Sequence, residues 1–342
     1  CRKQNVFLGQ TPGTKTKFEK RLCMKNDLLY ENLVTAIKDK FPGRGVLTNK
    51  LADLLMLEKE AVYRRLRGDV PFTIFEIATI AAKLDISLDH IIGCSSGKSR
   101  PFQMKMVNFL NPSEEDYEML ENFVNELRYL KDDPNSEVGG ALNILPQSLV
   151  LGYRHIYRFY LFKWIYQCGN VMPARYSQIE PPDRLQLINS EIVTEVCQAA
   201  NAYHIMDSMT FLYLVNDIKY FASIYLITRE EINVLKKELM IFIDDLETLA
   251  ARGFWKEGKN IHFFVSSVNF ETSYSYVETQ HCHLTMLKSF TLNDATSPDE
   301  AIFQRMKQWM QSLIRTSTLI SRSGEKDRIV FFEEQRRIVD ML

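Results

Sequence analysis

The sequence predicts a mainly α-helical protein in two parts. A five-helix domain spans residues 24–93, and a larger α-rich (α+β) domain with a small antiparallel sheet near 260–291 spans about 113–342. Three observations carry that expectation. Apolar residues recur at helical spacing through residues 27–93, capped amphipathic segments fill the middle, and the pattern turns to partly alternating Val, Phe, Tyr and Thr near residue 260.

In the N-terminal part, "DLLYENLVTAIKDK" (27–40) puts Leu28, Leu29, Leu33, Ala36 and Ile37 on one helix face, and "FPGRG" stops that helix. Thr48 or Asn49 then caps a second helix whose inner face is Leu51, Ala52, Leu54 and Leu55. A third helix runs from about Glu58 to Arg67 and ends at Gly68. Pro71 and Thr73 introduce a fourth, "IFEIATIAAKL", and "DISLDHIIG" supplies a fifth with Ser87 as its cap.

Residues 94–112 begin as a Gly/Ser/Lys stretch and read as a linker. Ser113 opens the next helix with an S-x-x-D box, and a long aromatic helix begins near Pro146 in "LPQSLVLGYRHIYRFYLFKWIYQ". Thr228 and Glu231 box the start of a helix closed by Gly253. The strands are "NIHFFVSSVNF", "TSYSYVET" and "HCHLTMLKSFTL". Ser297, Pro298 and Glu300 mark another helix start, Gly324 its end, and "EKDRIVFFEEQRRIVDML" the last helix.

Composition, with 46% hydrophobic and 25% charged residues in 342, is that of an ordinary folded chain. The longest apolar runs are too short to cross a bilayer and the polar N-terminus has no signal-peptide core, so no membrane is expected and the cytoplasm is the default. Six scattered cysteines read as free thiols. The first hundred residues carry a net charge of +7 and the remainder −8, an anion-seeking front on an acidic body. Residues 1–23 are polar, turn-rich and without helical period, a disordered or non-native extension ahead of a start at Met24.

The charge gathers where the apolar stripe is most regular, in "LADLLMLEKEAVYRRLRGDVP" (51–71). With Leu51, Leu54, Leu55, Leu57, Val62 and Leu66 turned inward, Lys59, Arg64, Arg65 and Arg67 point out. A small residue in a first helix (Ala52), a tight turn (Met56–Glu58) and a β-branched anchor in a second (Val62) are what a helix-turn-helix needs to set its second helix in a major groove about 12 Å wide.

Over about residues 47–93 the sequence resembles the phage-repressor-like (Cro/CI, or XRE) helix-turn-helix family. The matching positions are Leu51-Ala52, Val62, Arg67-Gly68, Pro71, Ala81 to Leu84 and Ser87-Leu88-Asp89, and the "VYRRLRG" wording is most similar to the BetR-type subgroup. The resemblance implies base reading by Lys59, Glu60, Tyr63 and Arg64, and phosphate contacts by Thr48, Asn49, Lys50, Arg65 and Arg67. It also implies double-stranded DNA and a second copy of the chain as partners. Two positions depart from the family: Met56 stands where glycine is usual in the turn, and Leu66 where an acidic residue precedes the exit.

Other signals are weaker. "GCSSGKS" (93–99) has three residues between its glycines where a phosphate loop needs four, and follows a helix. His281 and His283 share one strand face and Cys282 the other, so the three do not converge on a metal. Tyr153, Tyr157, Tyr160 and Trp164 recur at helical spacing; they are core residues or the lining of an effector pocket for a small molecule or protein. There is no HExxH or GxGxxG, and no Ala-Gly bond for self-cleavage. The chain therefore reads as a DNA-binding regulator, not an enzyme, with no cofactor and no catalytic residues. The alternative is a protein-interaction adaptor that uses a helix-turn-helix-like domain without specific DNA binding.

Overall fold

The computed structural model describes residues 30–38, 40–41, 44–84, 86, 88, 91, 102–168, 175–255 and 258–342. The expected N-terminal extension, the Ser87 cap and "GCSSGKS" lie outside them. The chain divides into two units, Cys1–Pro101 and Phe102–Leu342.

In the first unit, α1 (30–38), α2 (Arg44–Leu55), α3 (Lys59–Leu66) and α4 (Ile74–Leu84) enclose a core of Leu33, Ile37, Leu51, Val62, Phe72 and Ile80. These are four helices where the sequence predicts five; the fifth, over "DISLDHIIG", falls mostly on residues outside the described set. α2 begins at Arg44, ahead of Thr48 and Asn49, so neither caps it. α4 is capped by the reciprocal bonds of Thr73 and Glu76: the Thr73 amide donates to Glu76 Oε2 (2.8 Å) and the Glu76 amide to Thr73 Oγ1 (3.3 Å).

The second unit overturns the expected small sheet. Its eight strands are β1 (Gln103–Met104), β2 (Glu137–Leu142), β3 (Asn201–Asp207), β4 (Asn260–Ser266), β5 (Tyr274–Glu278), β6 (His283–Ser289), β7 (Asn293–Ser297) and β8 (Ser317–Leu319). They form one mixed sheet in the order β1-β7-β6-β5-β2-β3-β4-β8. The central β2, β3 and β4 run parallel, and the remaining pairings are antiparallel. The physical reason for the miss is burial on both faces. "EVGGAL" and "NAYHIMD" sit mid-sheet with helices above and below, and such strands carry no polar alternation.

The helices are α5 (Glu114–Asp132), α6 (Gln147–Val150), α7 (Arg154–Cys168), α8 (Asp183–Val196), α9 (Thr210–Ser223), α10 (Arg229–Arg252), α11 (Glu300–Arg315) and α12 (Glu325–Asp340). All but α11 pack on one sheet face, where Val138, Ala202, Met206, Phe263 and Val277 join the main core. α11 covers the other face, setting Phe303, Met310 and Leu313 against Ala141, Ile205 and Tyr276. The Ser113 and Thr228 boxes form as the sequence predicts, the former with Asp116 and the latter with Glu231.

Four local expectations are corrected. Residues 102–112 belong to this unit rather than to a linker: β1 pairs with β7, Val107 and Phe109 are buried, and the Val107 amide donates to Asn293 Oδ1 at 2.8 Å. The aromatic helix breaks at Leu151–Tyr153 into α6 and α7. The cap of α11 is Asp299, whose carboxylate accepts from the Ile302 amide at 2.9 Å, because Ser297 is still in β7. α11 ends at Arg315, and Gly324 precedes α12 instead of closing α11. No helix among the described residues is long and apolar enough to cross a membrane.

Candidate nucleic-acid interface

α2 leads into the turn through a C-terminal cap in which Met56 takes φ 52° and the Leu57 amide donates to the Ala52 carbonyl at 3.0 Å. Met56 thus adopts the left-handed conformation that glycine would take without strain. Val62, fully buried, anchors α3 to the core.

The rest of α3 follows from its period. Lys59, Glu60, Tyr63, Arg64 and Arg67 occupy one exposed arc, opposite Val62 and Leu66. At a rise of about 1.5 Å per residue, the eight residues of α3 extend about 12 Å, comparable with the width of a major groove. Lys59 and Arg64 form no ion pair among the described residues, whereas Arg67 pairs on the surface with Asp69 at 3.0 Å.

Arg65 faces the other way. Its Nε and Nη2 donate to the two Glu76 carboxylate oxygens at 3.0 and 2.9 Å, and Nη1 to the Ala61 carbonyl at 3.2 Å. Tyr30 Oη adds a bond to the Arg65 carbonyl at 2.7 Å. Burial pushes the Glu76 carboxyl up, but the Arg65 guanidinium and the Thr73 amide and hydroxyl outweigh it and hold the group below its usual range. Arg65 is therefore a clasp between α3 and α4, not an open phosphate contact. Thr48 is also withdrawn, inside the core, while Asn49 and Lys50 are exposed on α2.

The structure thus brings Lys59, Glu60, Tyr63, Arg64 and Arg67 onto one face and removes Arg65 and Thr48 from it. Sequence reasoning missed the clasp, although its signal was present: T-x-x-E over 73–76 is a capping box, and a capping glutamate has a second oxygen to offer a neighbouring helix.

Residues 30–111 match the BetR domain, a helix-turn-helix family. The match spans the four helices described in the first unit and continues through β1 to Asn111. It carries the BetR part of the resemblance and leaves the Cro/CI assignment without support of its own. No curated protein and no solved structure matches the chain.

Tyr153, Tyr157, Tyr160 and Trp164 do not line one pocket. Tyr153 Oη donates to Asp245 Oδ2 at 2.7 Å with its ring edge on Phe242. Tyr160 is buried, its phenol pushed up by desolvation. Trp164 stands edge-on to Phe109 at 5.5 Å. Tyr157 alone of the four borders a cavity of ≈ 210 Å³ between the sheet and its helices. His283 is engaged by Glu300 and stacked on Phe303 at 4.3 Å.

Proposed function

We propose that the chain is a sequence-specific DNA-binding transcriptional regulator that acts by binding rather than catalysis. The observation that carries the reading is the division of α3 into an anchored face and a free one. Val62, Leu66 and Arg65 fix the helix, leaving Lys59, Glu60, Tyr63 and Arg64 directed outward. Arg64 or Lys59 would donate to guanine O6 and N7, and Glu60 would accept from cytosine N4. Asn49, Lys50 and Arg67 would hold phosphates. The protein would bind as a homodimer on half-sites about 10 bp apart, with the second unit supplying dimerisation or signal input.

The test is selection of bound duplexes from a randomised pool by the full-length protein, repeated with Arg64→Ala and Arg67→Ala. The expected result is a pair of half-sites whose base preference is relaxed at one position by about 1–3 kcal/mol in Arg64→Ala. Arg67→Ala should weaken all sequences alike and reduce the salt slope by about 1. No enrichment at low salt would overturn the reading in favour of a protein-interaction adaptor.

A further inference from the structure

The floor of the cavity in the second unit is a row of residues across the sheet. Register pairs Met286 with Ser275, Ser275 with Gly140, and Gly140 with His204. All four border the cavity, and the absent side chain of Gly140 lets Leu142 lie over the floor, where a Cβ would stand 3.0 Å from its Cδ2. The neighbouring Gly139 serves the opposite face, where a Cβ would stand 2.2 Å from the Tyr276 ring. Two adjacent strand glycines thus have separate tasks: one admits Tyr276 below the sheet and the other admits Leu142 above it. Phe123 and Leu127 of α5 and Ile192 and Val196 of α8 form apolar walls.

His204 is the feature that does not fit an inert core. It is 4% exposed, stacked on Phe263 at 5.3 Å, and neither ring nitrogen has a hydrogen-bond partner among the described residues. A buried histidine ordinarily gives one N–H to a carbonyl or carboxylate, and an unsatisfied polar group at such depth is costly. The buried Asn189 side chain borders the same cavity, its amide beside the Tyr157 hydroxyl. Polar capacity is therefore directed into an apolar space.

We propose that this cavity binds a small uncharged molecule with an apolar body and one hydroxyl or amide group, the polar group meeting His204 and Asn189. At ≈ 210 Å³ the space exceeds the roughly 150 Å³ of an apolar cavity that holds benzene and falls short of the roughly 300–1,000 Å³ of drug-sized pockets. The ligand is of single-ring or short-chain size. Charge is disfavoured on two counts. Burial pushes the His204 imidazole down to about 4, so it is neutral and offers one donor and one acceptor. Among the described residues, the ionic groups bordering the cavity are Lys288 and Asp294, which neutralise each other at 2.7 Å. The inference goes beyond the DNA-binding reading and does not rest on it.

The experiment is a ligand-observed NMR titration of the full-length protein with benzyl alcohol, toluene and benzoate, in the wild type, His204→Phe and Ser275→Leu. Benzyl alcohol should bind saturably and about tenfold tighter than toluene, the scale of one satisfied buried hydrogen bond, and benzoate should not bind. Ser275→Leu, which fills the floor beside Gly140, should abolish both. His204→Phe, which keeps the ring on Phe263, should retain toluene and lose the preference for the alcohol. The proposal is overturned if the folded wild type binds neither probe, if benzoate binds as tightly as the alcohol, or if Ser275→Leu with wild-type circular dichroism binds unchanged. Should His204→Phe not fold, the wild-type alcohol-to-toluene ratio and Ser275→Leu decide.

Discussion

Arg64 and Lys307 are both cations on amphipathic helices, in opposite surroundings. Arg64 stands in solvent on α3 with no ion pair among the described residues. Lys307 of α11 is held between Glu137, at 2.6 Å, and Glu278. The second unit repeats the second arrangement: Arg184 lies between Glu114 and Glu121 at 2.7 and 2.8 Å, and Arg336 between Asp244 and Glu247. It also keeps polar groups such as His204 deep inside. These cations of the second unit are thus engaged by its own structure, whereas the first unit leaves part of its charge available to an outside partner. Net charge alone would not separate these cases, since a cation between two carboxylates and a cation in water count the same.

The largest effect that would test this contrast is acid sensitivity of the second unit. Burial holds the His204 pKa at about 4, below its ordinary 6.5. Between those values the unfolded chain binds a proton that the folded chain does not. The stability contributed by neutral His204 is therefore fully present above about pH 6.5 and is lost as pH falls toward about 4. The loss is up to about 3 kcal/mol. Trp164, Trp255 and Trp309 all lie in this unit, so urea unfolding followed by tryptophan fluorescence reports it selectively. His204→Phe should flatten the decline across that window. Equal slopes in the two proteins would mean that His204 is not held neutral, and the interior would lose its claim to a distinct polar chemistry.

A smaller effect separates two adjacent arginines within the first unit. Arg65→Ala leaves Glu76 without its bidentate partner and frees α3 from α4, costing about 2 kcal/mol. Arg64→Ala touches nothing that holds the fold, and its stability should stay within about 0.5 kcal/mol of wild type. Hydrogen exchange at the α3 and α4 amides measures both. Faster exchange in Arg64→Ala than in Arg65→Ala would reverse the assignment of clasp and reader.

How much of this was legible in the sequence differs between the units for the same reason. In the first, Val62, Ala52 and the Gly68 exit lie in local order, and short-range spacing suffices to place a helix-turn-helix. The exposure of Lys59, Glu60, Tyr63 and Arg64 follows from period alone. The inward turn of Arg65 does not, because it depends on Glu76 eleven residues away on another helix. In the second unit the capping boxes at Ser113 and Thr228 were readable because they too are local. The parallel strands were not. β2 meets β3 across more than sixty residues, and "VGGA" lacks alternation and has Val138 as its one β-branched residue. The cavity inherits that opacity, since its floor assembles Met286, Ser275, Gly140 and His204 from four strands.

The smallest effect concerns the turn itself. Met56 is 94% exposed at φ 52°, so its side chain contributes little packing while its backbone occupies the left-handed region. Arg322 in the second unit has nearly the same backbone at φ 51°, but its guanidinium is tied to the Gly253 carbonyl and Asn260 Oδ1 at 3.1 and 2.7 Å. The strain at Arg322 is offset by its own contacts, and the strain at Met56 is not. Met56→Gly should therefore stabilise the first unit by about 1 kcal/mol, the relief of the left-handed penalty less the added freedom of an unfolded glycine. Slower exchange of the Leu57 amide, which bonds to Ala52, would register the gain. Faster exchange would mean that the methionine stiffens the turn. The angle between α2 and α3 would then depend on that residue and not on the core beneath it.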